Sequence, residues 1–203
     1  MNESPSIYEM LSLPSSKFSW RREPTVMVWR KDSNNKESPP TLDVYNQHRI
    51  AELFANTLKD NELEYDNKKV ALPFTKHIYK WAIETKRILD KVKLPVGVEF
   101  YNIYGISNKT PFDVSGNTFF LVFFRCMNTP LVQPYGSKSA PIKNLAEICK
   151  SLPFFIFVDG DGTVPAESAK EDGLVAEERI GVPGGHTDLL SNNTVHEYIL
   201  KWL

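Results

Sequence analysis

Phe154-Phe155-Ile156-Phe157-Val158 is a continuous apolar run that stops directly in Asp159-Gly160-Asp161-Gly162-Thr163. A run of this kind, too short for a helix and closed by turn residues, fits a strand covered on both faces, as in the centre of a parallel sheet. Its end sets two carboxylates and two glycines where the strand leaves the sheet. In open α/β sheets, ligands gather at those carboxyl ends.

The flanking sequence alternates between helical and extended patterns. Ile50, Leu53, Phe54, Thr57 and Leu58 recur at helical spacing within 45–63. Phe74, Ile78, Trp81, Ala82, Thr85, Ile88 and Leu89 repeat the pattern around a second helix near 75–92. The spacing predicts two amphipathic helices, separated by a turn near Asp66-Asn67 and by Pro73. Val96 to Gly105 is rich in β-branched and aromatic residues and reads as a strand ended by glycine. Ile142, Leu145, Ala146, Cys149 and Leu152 predict a further helix, 166–170 a short one, and 178–182 a strand. Thr194-Val195-His196-Glu197 has the form of a capping box opening a last helix with Val195, Tyr198, Ile199 and Trp202 on its apolar face. The expectation is an α/β fold with a parallel sheet whose last strands are 98–104, 154–158 and 178–182.

Two stretches stand outside this alternation. Lys31 to Pro40 is polar and reads as an exposed loop. Thr118 to Phe124 is a dense apolar run without alternation, which leaves a buried strand, a lipid-contacting loop and sequence foreign to the fold all open.

Composition narrows the function. A chain of 203 residues suits one domain, and 24 Lys plus Arg against 25 Asp plus Glu leave a net charge of −1. That balance offers no bulk attraction to nucleic acid, so no nucleic-acid partner is expected. With 41% hydrophobic and 24% charged residues the chain is composed like one that folds. The start Met-Asn-Glu-Ser-Pro-Ser lacks the basic and apolar regions of a signal peptide, and no apolar run reaches the roughly 18 residues of a spanning helix. No signal or transmembrane segment is therefore expected. Cys126 and Cys149 are too few for a disulfide framework. Triplets at Asn2, Asn108 and Asn192 fit the N-glycosylation pattern, which arises often by chance.

The chemistry lies in Asp161 and His186. Val158-Asp159-Gly160-Asp161-Gly162-Thr163-Val164-Pro165 is followed, after a helix and a strand, by Gly184-Gly185-His186. Serine hydrolases of the α/β type place the acid in the turn after one strand and the histidine in the loop after the next. Glycines around both residues permit tight turns. The acid would hold one imidazole nitrogen protonated and leave the other to take a proton from a serine. Asp-Gly-Asp-Gly by itself is equally the make-up of a plain turn. A calcium loop fails on residues, because Thr163 and Val164 stand where a ligand and a glycine are needed and Lys170 stands at the bidentate position. No metal and no cofactor are expected. His48, His77 and His196 lie in or beside helical patterns and read as surface or packing residues.

These motifs resemble the lecithin:cholesterol acyltransferase family, in particular its plant phospholipase A-type branch. The resemblance runs through Asp-Gly-Asp-Gly-Thr-Val-Pro-Ala-Glu-Ser, Arg-Ile-Gly-Val-Pro-Gly-Gly-His and a terminal helix ending Lys-Trp-Leu. It also covers Pro5 to Leu11, Val28-Trp29-Arg30, Ala71 to Phe74 and Gly97 to Asp113. It implies the C-terminal part of an α/β-hydrolase fold, with cap-like helices over about 41–92 and the last strands, acid and histidine in 96–203. Asp161 is similar in position to the family's catalytic acid, and His186 to its histidine. The implied activity is acyl-ester hydrolysis or O-acyl transfer on phosphatidylcholine-like glycerophospholipids. The acceptor would be water, a sterol or another alcohol, with transient contact to a membrane surface and a cytoplasmic or endoplasmic-reticulum-associated setting.

Two departures from the family pattern shape the expectation. The family's serine stands in a G-x-S-x-G-like elbow upstream of the region that Pro5 begins, and no serine here has that surrounding: Ser137 directly follows Gly136, and Ser107 is followed by Asn108-Lys109. The chain alone is therefore expected to be inactive. Residues 115–134 stand as an insertion relative to the family, and codons for Gly116-Asn117 and Gln133 can carry the ends of an intron read in frame. Sequencing the transcript tests this. The competing expectations are a non-catalytic lipid-binding or interaction fragment, and a gene fragment with no stable product.

Overall fold

The computed structural model describes residues 8–9, 11, 13–15, 17–18, 20–32, 37–59, 61–71, 74–116, 141–150 and 153–203. Thr118 to Phe124, Ser137 and most of the 115–134 stretch lie outside them. The elements, in chain order, are β1 (Val26–Arg30), β2 (Thr41–Tyr45), α1 (Ile50–Leu58), β3 (Glu62–Tyr65), β4 (Lys68–Ala71), α2 (Lys76–Leu89), β5 (Tyr101–Ile106), β6 (Asn108–Gly116), β7 (Pro153–Gly160), α3 (Ala166–Lys170), β8 (Glu178–Pro183) and α4 (Asn193–Trp202). Short 3₁₀ turns occupy Leu145–Lys150 and Asp188–Ser191. The mixture of helices and strands is that of an α/β protein. Among the described residues no helix is long and apolar enough to cross a membrane.

The chain divides into two compact units. Unit 1 comprises Met1–Pro14, Glu23–Lys86 and Asp113–Phe155. Its sheet is built on β1, which pairs antiparallel with β2 and parallel with the end of β6 through Val26↔Val114 and Met27↔Ser115. The strand order of this sheet is β2-β1-β6-β7. Buried Asp113 accepts hydrogen bonds from the Thr25 amide (2.9 Å) and hydroxyl (3.3 Å), which fixes the entry to β1. α1 buries the face its spacing predicts, Ile50, Leu53, Phe54, Thr57 and Leu58. Ile50, Leu53, Phe54 and Leu58 pack into one apolar cluster with Val28, Tyr45, Ile78, Tyr79, Ala82 and Ile148. Each fully buried aliphatic side chain in it stabilises the fold by roughly 1.5–3 kcal/mol.

Unit 2 comprises Ser15–Arg22, Arg87–Phe112 and Ile156–Leu203. Its parallel pair is β5 beside β8, in register from Tyr101↔Glu178 to Ile106↔Pro183. Trp202 of α4 stacks on Tyr101 of β5 at 4.4 Å and 23°, and its Nε1 donates to Glu178 of β8 at 3.0 Å. Asn102 of β5 donates to Asp172 (2.7 Å) and to the Ala169 carbonyl (2.9 Å), and Arg179 of β8 pairs with the same aspartate at 3.0 Å. The segment that joins α3 to β8 is thus tied to both strands.

The structure departs from the sequence reading in several places. The 45–63 stretch is not one helix: α1 is its middle, because an Asn46–Arg49 turn precedes it and Asn61 closes it by donating to the Leu58 and Thr57 carbonyls. Asp66 and Asn67 both adopt positive φ (52° and 56°), the geometry of a two-residue hairpin, so the turn joins β3 to β4 rather than helix to helix. The 41–92 stretch therefore holds three strands besides its two helices. In α2, Trp81, Ile88 and Leu89 of the expected apolar face are exposed.

The strand expected from Val96 starts only at Tyr101. Pro95 and Val98 close a turn (3.2 Å) through Gly97 at φ 85°. The 142–152 helix is a 3₁₀ turn from Leu145, preceded by a bridge from Ile142 to Arg30. The last helix is capped by Asn192, whose side chain accepts from the Thr194 amide at 2.9 Å, so Thr194 lies inside the helix and the capping box does not form. The three expected strands do not lie side by side in one parallel sheet either. β5 pairs with β8, whereas β7 neighbours β6, which the Thr110-Pro111 sequence had hidden. Phe157 is half exposed, so β7 is not covered on both faces among the described residues.

Candidate active site

β7 ends at Gly160, and Asp161 begins a turn whose backbone closes through the Asp161 amide and the Val164 carbonyl (3.2 Å). The carboxylate shapes this turn. Its Oδ1 accepts the amides of Thr163 (2.8 Å) and Val164 (2.6 Å), the aspartate pattern that bends a chain back on its own side chain. Its Oδ2 is left for a partner outside the turn, and that partner is His186 Nδ1 at 2.8 Å.

β8 ends at Pro183 and delivers His186 to the same place. The Gly184 amide donates to the Ile106 carbonyl (3.3 Å), and the His186 amide donates to the Asp161 carbonyl (2.9 Å). Acid and histidine are therefore joined through both backbone and side chains. The strand beneath them is β5, and Gly105 is where it passes closest: a Cβ there would overlap the Asp161 Cβ and come 3.2 Å from the Gly184 carbonyl and Leu189.

Asp161 is buried, at 7% exposure. Burial alone would raise its pKa, but the Val164 amide, His186 and the Thr163 amide together outweigh that and hold it below the ordinary carboxylate value. The group is thus ionised at neutral pH and can only accept hydrogen bonds. Nδ1 of His186 must therefore carry a proton, and in the neutral imidazole the lone pair then stands on Nε2. Among the described residues Nε2 has no hydrogen-bond partner, and the imidazole is half exposed, at 51%. An open cavity of about 860 Å³ lies at Asp161, its lining including Ser107, Asn108, Lys109, Pro183, Gly184 and Gly185. An imidazole held in this way can take a proton from a hydroxyl and return it to a leaving group.

Asp159, two residues before the acid, faces elsewhere. Its Oδ1 accepts the amide of Ser107 (2.6 Å), a residue at φ 72°, and so holds the turn between β5 and β6. His48, His77 and His196 are exposed. His77 stands edge-on to Trp81, and His196 Nε2 meets the Leu190 carbonyl at 2.8 Å. Asn192 is engaged as a helix cap and through its amide to Pro183. Among the described residues no serine hydroxyl is bonded to His186. Three residues of the site had no spacing signal to announce them: Gly105, which read only as a strand terminator, Ser107, and Thr110, whose buried hydroxyl accepts the Gly162 amide at 2.8 Å.

No family model matches the chain. Two curated relatives from Arabidopsis thaliana do. Phospholipase A(1) LCAT3 is 43% identical over 202 residues, covering 99% of this chain and 40% of that protein. Lecithin-cholesterol acyltransferase-like 4 is 37% identical over 204 residues, covering 99% of this chain and 34% of that protein. The chain thus spans well under half the length of the curated relatives it matches. The resemblance read from the sequence motifs is borne out over nearly the whole chain.

Proposed function

We propose that this homologue of the lecithin:cholesterol acyltransferase-like phospholipases carries the acid and the base of a Ser-Asp-His acyl-transfer centre in an α/β-hydrolase fold. The serine comes from a segment outside the 203 residues, and the substrate is a phosphatidylcholine-like glycerophospholipid. The observation that carries this reading is the 2.8 Å contact between His186 Nδ1 and Asp161 Oδ2, with both residues placed in turns that follow strands.

The chemistry follows from which nitrogen is free. Nε2 accepts the proton of the serine hydroxyl as its oxygen attacks the ester carbonyl carbon, and Asp161 stabilises the resulting imidazolium. The tetrahedral intermediate collapses with cleavage of the ester C–O bond, the imidazolium gives its proton to the departing alcohol, and the acyl group stays on the serine. Water or another alcohol, deprotonated by the same Nε2, then takes the acyl group and the serine regains its proton. Water gives hydrolysis. An alcohol such as a sterol gives O-acyl transfer.

Read this way, the isolated chain binds no acyl group covalently and hydrolyses neither phosphatidylcholine nor a nitrophenyl ester above background. Fatty-acid release from phosphatidylcholine vesicles, with and without a serine-directed inhibitor, tests it. Inhibitor-sensitive turnover by the 203-residue chain would contradict a serine supplied from elsewhere.

A further inference from the structure

We propose that Thr110 is a positioning residue that sets where Asp161 stands against His186. The inference rests on the reading of Asp161 and His186 as an acid–base pair, and it adds a residue to that site. Thr110 is fully buried, at 0% exposure. Its hydroxyl donates to the Asn108 carbonyl (3.1 Å) and accepts the Gly162 amide (2.8 Å).

The position of that amide gives the hydroxyl its leverage. Gly162 N–H belongs to the peptide group whose carbonyl is Asp161's own, and this carbonyl accepts the amide of His186 at 2.9 Å. One peptide plane is thus held at its N–H end by Thr110 and at its C=O end by the histidine backbone. Beside it, Asn108 and Asp161 form a parallel bridge, which brings β6 alongside the acid. Turning this plane swings the carbonyl that holds the His186 amide and resets the Asp161 ψ angle, and proton transfer is sensitive to displacements well under 1 Å. Replacing Thr110 by valine keeps its shape but removes the acceptor, so the Gly162 N–H loses its fixed partner and the peptide plane is freed to turn. Serine keeps the hydroxyl.

The test reads the contact rather than the fold. In the full 203-residue chain with ¹⁵N-labelled histidine, the Nδ1 and Nε2 shifts of neutral His186 report its tautomer. The wild-type chain and Thr110→Ser should show the Nδ1–H form. Thr110→Val and Thr110→Ala, folded by circular dichroism, should shift to a mixture dominated by Nε2–H. In a catalytically complete protein Thr110→Val should lower kcat on the order of 10²-fold with KM little changed, and Thr110→Ser should restore it. Folded Val and Ala variants that keep the wild-type tautomer would overturn the proposal. So would loss of the fold in both while Thr110→Ser folds, since the hydroxyl would then serve the fold alone. If the wild-type chain itself showed Nε2–H, the acid–base pair would fail first, and this proposal with it.

Discussion

His186 is joined to Asp161 twice, by its amide to the Asp161 carbonyl at 2.9 Å and by its imidazole Nδ1 to the carboxylate at 2.8 Å. The first bond places the histidine backbone and the second orients its ring, so the imidazole is held relative to the acid rather than relative to solvent. The acid in turn is held by its own turn, through the amides of Thr163 and Val164. Neither residue could be moved alone without breaking a bond to the other.

This arrangement makes stability depend on pH with a definite sign. The hydrogen bonds that outweigh burial depress Asp161, and Asp172 is depressed in the same way by the Leu174 amide, Arg179 and Asn102. A carboxylate whose folded pKa lies below its unfolded value contributes stability that is present above the unfolded pKa and is lost as pH falls through the folded one. The melting temperature should therefore be flat at neutral pH and fall below about pH 4. Asp172→Asn should lower the plateau and flatten the fall, as thermal melts between neutral and acid pH will show. An equal slope in wild type and variant would contradict it.

Gly105→Ala probes the close approach of β5 to the acid. The added methyl group meets the Asp161 Cβ, and overpacking of this kind costs about 1–3 kcal/mol. Relief requires Asp161 to move away from the strand, which lengthens the contact to His186. Denaturant titration should show the destabilisation, and the His186 ring nitrogens should shift in the same variant.

Trp202→Ala removes the stack on Tyr101 and the bond to Glu178 that hold α4 to β5 and β8. The stacked pair alone is worth about 0.5–1.5 kcal/mol beyond its buried area. The total loss should be about 2 kcal/mol or more, visible as an earlier denaturation midpoint. Trp202→Phe should recover most of the stack and none of the hydrogen bond.

Local chemistry was legible in the sequence where it was self-contained. The buried face of α1 follows from apolar spacing, and the acid turn follows from a strand that runs into Asp-Gly-Asp-Gly. What stayed hidden depended on partners distant in sequence. β6 carries Asn108-Lys109-Thr110-Pro111, a string without strand character, and becomes a strand because β1 and β7 lie beside it. The β3–β4 hairpin was masked by helical spacing upstream, and only the positive φ of Asp66 and Asn67 reveals it. Asp159 and Asp161 look alike in the Asp-Gly-Asp-Gly string, and the bond that occupies Asp159 comes from the amide of Ser107, 52 residues away.

The most direct test joins this chain to a serine. Residues corresponding to the matched region of Arabidopsis phospholipase A(1) LCAT3 are replaced by this chain without 115–134, and fatty-acid release from phosphatidylcholine is measured at equal folded fraction. The chimera should be active, and His186→Ala should remove activity by several orders of magnitude. Asp161→Asn should lower turnover by roughly 10⁴, because an amide presents the wrong partner to Nδ1. Asp159→Asn, which retains an acceptor for the Ser107 amide, should cost far less. An active chimera in which Asp161→Asn is nearly silent while Asp159→Asn abolishes turnover would contradict the assignment of Asp161 as the acid.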